Sequence, residues 1–289
     1  MRLVVTGGTG FLGRRVVADA IREGHHITGL ARSAAAVRAL ERAGAQAVPG
    51  DLDDPASVDA AFRAAKGDVL INIASLGFGH ANVIVSAAEA AGLNRAIFIS
   101  TTAIFTTLPA ATKQIRTEAE KTVTSSSLGW TILRPTMIYG GPDDRNMARL
   151  LAALRRSPLL PLPGGGKRLQ QPVHVDDLAS AVLAAVRLDA SIGRSYTIAG
   201  PEALTFRKIV EEAGAAVGRR VVTVTLPLRT TLAVARGYER LTARPLLRAE
   251  QIARLAEDKA FSIADAAADL GFAPRPFDQG IRAEAALLT

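Results

Sequence analysis

Cysteine is absent from this 289-residue chain, which excludes disulfides, thiolate metal ligands and a thiol nucleophile. Histidine is scarce: His25, His26, His80 and His174 are all there are, and no spacing among them resembles a metal site, so no metal is expected. Tyrosine is scarcer. Tyr139, Tyr196 and Tyr238 stand alone, and none has a Lys or Arg four residues on. Lysine is rare beside abundant Arg, occurring only at Lys66, Lys113, Lys121, Lys167, Lys208 and Lys259. No stretch approaches the roughly 20 apolar residues of a membrane span, and no apolar leader precedes the first strand, so a cytoplasmic protein is expected. The net charge is +8. Its Lys and Arg are scattered rather than gathered in one stripe, so a nucleic-acid partner is not expected. The basic surface is read as solvated, or as attracting an anionic substrate or an acidic membrane surface.

What is present is ordinary globular material, 48% apolar and 21% charged, enough for one large α/β domain or for a domain plus a lobe. Short apolar strands near 2–6, 26–31, 46–49, 68–73, 95–100 and 130–134 alternate with helical patterns near 11–23, 34–43, 55–65, 80–91 and 112–126. Such βαβ alternation predicts a parallel sheet with helices on both faces, a doubly wound Rossmann-type fold. Helices follow near 146–156, 177–187, 205–216, 228–241 and 248–257, with strands near 172–175, 195–199 and 220–225. The loops 139–144 and 158–166 read as exits into a smaller, mostly helical C-terminal lobe. The expected division is 1–140 plus 172–200 for the nucleotide-binding domain and 141–171 plus 201–289 for the lobe. The segment 228–241 is amphipathic and basic, a lobe helix or a contact with a membrane or protein partner.

The first strand stops at glycines and a helix starts at once, with Gly7, Gly10 and Gly13 three apart. A glycine turn feeding a helix N-terminus aims unpaired N–H groups at one spot, where a pyrophosphate fits and the helix dipole favours its charge. The second strand ends at Arg32-Ser33, where an NAD site normally carries an acidic residue for the ribose 2′-OH. Arg32 offers a fork for a 2′-phosphate and Ser33 a second donor, so NADP(H) is favoured over NAD(H). Asp51 can accept from an adenine amino group, or cap the helix that Pro55 begins.

These residues bring the chain to a family. It resembles the extended and atypical short-chain dehydrogenase/reductase superfamily, in its NAD(P)-dependent epimerase/dehydratase branch, through Thr6-Gly-Gly-Thr-Gly-Phe-Leu-Gly13, Gly50-Asp-Leu52 and Asn72-Ile-Ala74. The likeness continues in Ser100-Thr-Thr102, Leu133-Arg-Pro135 with Tyr139-Gly140, the run from Pro172 to Ala179, and the closing Ala268–Arg275. Asp144-Arg-Asn146, Pro161–Gly166 and Gln170-Gln-Pro172 are most similar to relatives of the NADPH-binding accessory subunit of respiratory complex I. The resemblance implies cofactor contacts from Gly7, Thr9, Gly10, Phe11, Leu12, Gly13, Leu52, Ala74, Ser100, Arg116 and Pro135. Arg32, Ser33 and Asp51 join them.

The family's catalysis uses Tyr-x-x-x-Lys plus a Ser or Thr, the tyrosine exchanging a proton with the substrate hydroxyl. Thr102 supplies the last of these. Laying Glu118-Ala119-Glu120 on the family's run puts Arg116 in the lysine place and Thr112 in the tyrosine place, and a threonine cannot replace a phenol as an acid. Three readings follow. A redox enzyme or epimerase can recruit Lys113, Tyr139, His174 or a substrate acid; NADP(H) can be held as a structural or sensing ligand; or the basic lobe can dock a partner in assembly. On the substrate side stand Phe105, Tyr139, Arg145, Asn146, Arg168 and Gln171. Arg145 and Arg168 are suited to clamping a diphosphate or carboxylate, as for a small anionic or sugar-nucleotide-like substrate. His174 is expected to be structural, and Asp176 or Asp177 to cap the next helix.

Overall fold

The computed structural model describes residues 1–108, 110–144, 146–241, 252, 253, 255 and 257–288. The first half runs β1 (Arg2–Thr6), α1 (Phe11–Arg22), β2 (His26–Ala31), α2 (Ala34–Arg42), β3 (Gln46–Pro49), α3 (Pro55–Ala65), β4 (Val69–Asn72), α4 (Ala81–Ala90), β5 (Arg95–Ile99), α5 (Ala111–Thr124) and β6 (Gly129–Pro135). There follow β7 (Ile138–Tyr139), α6 (Met147–Arg156), β8 (Leu159–Pro163), β9 (Leu169–Gln170), β10 (Val173–His174), α7 (Val175–Arg187) and β11 (Arg194–Ile198). The last elements are β12 (Leu204–Thr205), α8 (Phe206–Ala216), β13 (Val222–Leu226), α9 (Leu228–Leu241), α10 (Ala264–Leu270) and α11 (Phe277–Leu287).

Seven strands make one sheet in the order β11-β6-β5-β4-β1-β2-β3, every neighbouring pair parallel. Parallel strands covered on both faces read as continuous apolar runs, and Val69–Asn72 is buried at every position. The order of connection reverses between β1 and β4, the switch point at which doubly wound sheets bind ligands. On one face Val58, Phe62, Ile84, Ala88 and Val123 pack against Val4, Leu70, Phe98 and Ile132. Asp54 caps α3 by accepting from Ala56 and Ser57 N–H, with Pro55 at the first helical position. The expected cap, Asp51, instead accepts from Asp53 N–H at 3.1 Å. Likewise Asp176 and Asp177 lie inside the first turn of α7 rather than before it, and Asp176 pairs with Arg15 at 3.3 Å.

The chain divides into two units: residues 1–135, 175–198 and 263–273, and residues 136–174, 199–262 and 274–289. These boundaries differ from those expected. The segment 263–273 returns to the first unit because Asp269 of α10 accepts from Tyr196 Oη at 2.8 Å and pairs with Arg194 at 3.1 Å, both on β11. Residues 136–140 and 172–174 fall in the second unit, where β7 pairs with β10. That unit packs Tyr139, Leu151, Leu154, Ile209, Ala213, Phe277 and Ile281 into its own core. It also holds a strand, β8, within the segment read as a loop; Pro161 and Pro163 hide it, yet it pairs in parallel with β13. The helix expected near 248–257 falls mostly outside the described residues.

Candidate nucleotide-binding site

Thr6 and Asn72, both fully buried, end β1 and β4. Thr6 Oγ1 donates to Asn72 Oδ1 at 2.5 Å, and Asn72 Nδ2 donates to the Ala74 carbonyl at 3.1 Å. This draws the two strand ends together at the switch point. Gly7 has φ +70°, and a Cβ there would stand 2.7 Å from Ala74 N; at Gly13 a Cβ would stand 2.1 Å from the Gly7 carbonyl oxygen. Only glycine fits either place. Gly10 N–H donates to the Gly7 carbonyl at 3.0 Å, closing the turn. Helix α1 then begins with no side-chain cap and no acid in its first turn. Its first N–H groups lack intrahelical partners, with the positive end of the dipole among them. Thr9 and Gly10 are exposed, Phe11 half-buried and Leu12 buried on the core side.

At the end of β2, Arg32 is exposed and has no hydrogen-bonded or ionic partner among the described residues. Ser33 caps α2, its Oγ accepting from Ala36 N–H at 3.2 Å, which leaves its O–H free to donate elsewhere. Past β3, Asp51 N–H donates to Ser57 Oγ at 2.9 Å, and Leu52 is half-buried. Asp53 nearby pairs with His80 Nε2 at 2.8 Å.

A second group gathers at the ends of β5 and β6. Glu120 of α5 is 7% exposed, and Arg134 donates to it through Nε and, at 2.6 Å, through Nη2. Ser100 Oγ donates to Glu120 Oε1 at 2.5 Å. The Arg134 guanidinium also lies over the ring of Phe105, 5.5 Å from its centroid. Thr102 Oγ1 donates to the Pro135 carbonyl at 3.3 Å. Sequence reasoning used Glu120 only as an alignment mark and missed Arg134; a charged residue closing an apolar strand was the available signal. One turn earlier on α5, Arg116 Nη1 donates to Thr112 Oγ1 at 2.6 Å, while its guanidinium lies against Gly77. The residues standing in the tyrosine and lysine places are thus bonded to one another. Lys113 Nζ donates to the Thr106 carbonyl at 2.6 Å.

Of the substrate-side residues, Phe105 belongs to the first unit and Tyr139, Asn146, Arg168 and Gln171 to the second. Tyr139 is 1% exposed, edge-on to His174 at 5.2 Å and against Phe277 at 5.1 Å. Its hydroxyl fills the hole at Gly280, where a Cβ would meet it at 2.1 Å. Tyr139 is therefore packing in the second unit's core, as is the buried His174. Gln171 spends both ends of its amide on backbone, donating to Gly200 O at 2.7 Å and accepting from Phe261 N–H at 2.8 Å. Arg168 pairs with Asp258 at 2.8 Å. Asn146 is exposed just before α6, Phe105 is 49% exposed, and Arg145 lies outside the described residues. Tyr196, which lies far along the chain, has its phenol pushed up to about 12 by burial and by Asp269, so it is no acid near neutrality. Sequence reasoning also missed a buried carboxyl pair in the second unit. Asp144 accepts from Asn146, Met147 and Ala148 N–H at the start of α6, and fully buried Glu284 of α11 faces it while accepting from Gly140 N–H at 2.9 Å. Burial, then the neighbouring Asp144 charge, pushes Glu284 up to about 8; burial raises Asp144 also. Among the described residues no group of His, Asp and Glu is arranged to hold a metal, and no helix is long and apolar enough to cross a membrane.

A family model described as NAD(P)H-binding matches residues 7–188. The chain is 28% identical to the 2-alkyl-3-oxoalkanoate reductase of Stenotrophomonas maltophilia, over 98% of each chain. It is 32% identical to the mitochondrial NADH dehydrogenase [ubiquinone] 1 alpha subcomplex subunit 9 of Arabidopsis thaliana, over 72% of this chain and 56% of that one. The crystal structure of Thermotoga maritima UDP-glucose 4-epimerase with UDP-glucose superimposes with a TM-score of 0.77 at 16% identity, covering 99% of this chain and 98% of that one. A glycine cradle at the switch point of a seven-stranded parallel sheet and a matching family model lead to one conclusion: the chain belongs to the NAD(P)H-binding family and shares the fold of that epimerase.

Proposed function

We propose that this chain is an NADP(H)-dependent reductase of a small, anionic carbonyl compound, whose proton donor is not the phenol used elsewhere in its superfamily. The observation that carries the cofactor choice is Arg32, exposed and without a partner among the described residues, at the end of β2 where the sequence has no carboxylate. The cradle of Gly7, Gly10 and Gly13 fits a pyrophosphate, Arg32 and Ser33 fit a 2′-phosphate, and Asp51 fits the adenine. When bound, the nicotinamide supplies hydride chemistry. Support for a reductase comes from the relative that aligns over nearly the whole of both chains, named for reduction of a 3-oxoalkanoate. Thr102 orients the carbonyl oxygen once its hydroxyl turns from the Pro135 carbonyl to the substrate, and Lys113, on the first turn of α5, holds the proton that the oxygen takes up.

A second reading, tightly held NADP(H) without turnover, is favoured by the Thr112–Arg116 hydrogen bond, which leaves no acid in the tyrosine place. One experiment separates the two: mass spectrometry of the nucleotide that co-purifies, followed by NADPH oxidation with 3-oxo acids. Turnover that Lys113→Met abolishes while NADPH binding persists supports the enzyme. Retained NADPH whose absorbance never decays, with every carbonyl offered, supports the second reading.

A further inference from the structure

The β8–β13 ribbon of the second unit is built inside out. Leu159 stands beside Val222 and Pro161 beside Val224 in register, and all four are exposed, Leu159 by 55% and Val222 by 58%. The alternate residues of β13, half-buried Thr223 and exposed Thr225, both accept through their hydroxyls from the Arg207 guanidinium of α8. Leu162 of β8 is fully buried. A strand with one solvated face ordinarily puts Val inward and Thr outward. Here both valines of β13 face outward while Thr223 is half-buried, and the aliphatic row gains if something apolar covers it.

The surrounding charge says what covers it. Because the strands run parallel, the residues leading into them lie at one end of the ribbon. These are Arg156, Arg219 and Arg220, all exposed and without an ionic partner among the described residues. The stretches that carry them are basic: residues 145–175 contain six Lys or Arg and no Asp or Glu, and residues 213–238 contain four and none. The exposed row carries no aromatic ring and no hydrogen-bonding side chain, so it offers nothing to nucleic-acid bases. Four small side chains fall well short of the roughly 800 Å² per partner of a stable protein interface. Aliphatic side chains beside unpaired arginines match hydrocarbon beneath negative headgroups.

We infer that the β8–β13 ribbon docks on an anionic lipid bilayer, its aliphatic row among the acyl chains and its arginines on the headgroups. The test is co-sedimentation of the full chain with vesicles of phosphatidylcholine alone or with about 30% phosphatidylserine. The anionic vesicles bind the protein at least about tenfold more tightly, and salt reverses it. A Val222→Thr/Val224→Thr variant and an Arg219→Ala/Arg220→Ala variant each lose about tenfold in vesicle affinity with an unchanged melting temperature and unchanged NADPH binding. The inference is overturned by absence of binding to anionic vesicles, by binding that the valine substitutions leave intact, or by a dimer in solution that those substitutions dissociate.

Discussion

Arg32 ends β2 with its guanidinium exposed, and the residue beside it, Ser33, already caps a helix. If Arg32 grips a 2′-phosphate, Arg32→Ala weakens NADP(H) by about 2 kcal/mol and leaves NAD(H) nearly unchanged; calorimetric titration with both nucleotides checks this, and equal losses refute it. Gly13 sits under a harder constraint, since its missing Cβ would press on backbone rather than on a flexible side chain. Gly13→Ala is expected to cost about 1–3 kcal/mol of stability and most of the nucleotide affinity, read from thermal melts with and without NADPH. The glycines were legible in sequence because a strand, a turn and a helix surround them. Tyr139 was not: a tyrosine beside a glycine loop reads as a polar handle, and the hole it fills is made by Gly280, on a helix no local pattern connects to it.

Among the elements, α5 is tied to the ends of β5 and β6 by the Ser100–Glu120–Arg134 group, with the two ionic side chains 9% and 19% exposed. Removing one partner of a buried pair strands the other charge. Glu120→Ala therefore loses about 3–5 kcal/mol in urea denaturation. Glu120→Gln, which keeps a neutral acceptor for Ser100 and Arg134, loses less. The sheet's strands were readable because burial on both faces forces continuous apolar runs such as Val69–Ile71. The small ribbons were not. Strands β7, β9, β10 and β12 are two residues each, too short for any period, and the prolines of β8 imitate a loop.

For the molecule as a whole, Glu284 makes stability depend on pH in an unusual direction. Its carboxyl sits at about 8 when folded, above its ordinary value of 4.5, so the folded state is the one that prefers the proton. The stabilisation this gives is complete below about 4.5 and disappears as pH rises through about 8, and the raised Asp144 acts in the same sense. Glu284→Gln, which still accepts from Gly140 N–H, should match the parent protein near pH 5. By pH 9 it should exceed the parent by on the order of one to a few kcal/mol, seen as a flatter melting temperature against pH. A larger alkaline loss in the variant than in the parent would refute the pairing. The doubly wound sheet itself was legible from strand alternation, whereas this pair was not, since its members are 140 residues apart in sequence and meet only by folding. The nesting of the two units has a further consequence. The first unit is assembled from residues 1–135, 175–198 and 263–273, so its edge strand β11 receives Asp269 only after residues 199–262 of the second unit have been made. No single contiguous stretch of the gene encodes the nucleotide-binding half. A ribosome stalled before residue 263 holds β11 without α10, so a chain cut there leaves Tyr196 without Asp269, and one cut before residue 194 leaves the sheet without its seventh strand.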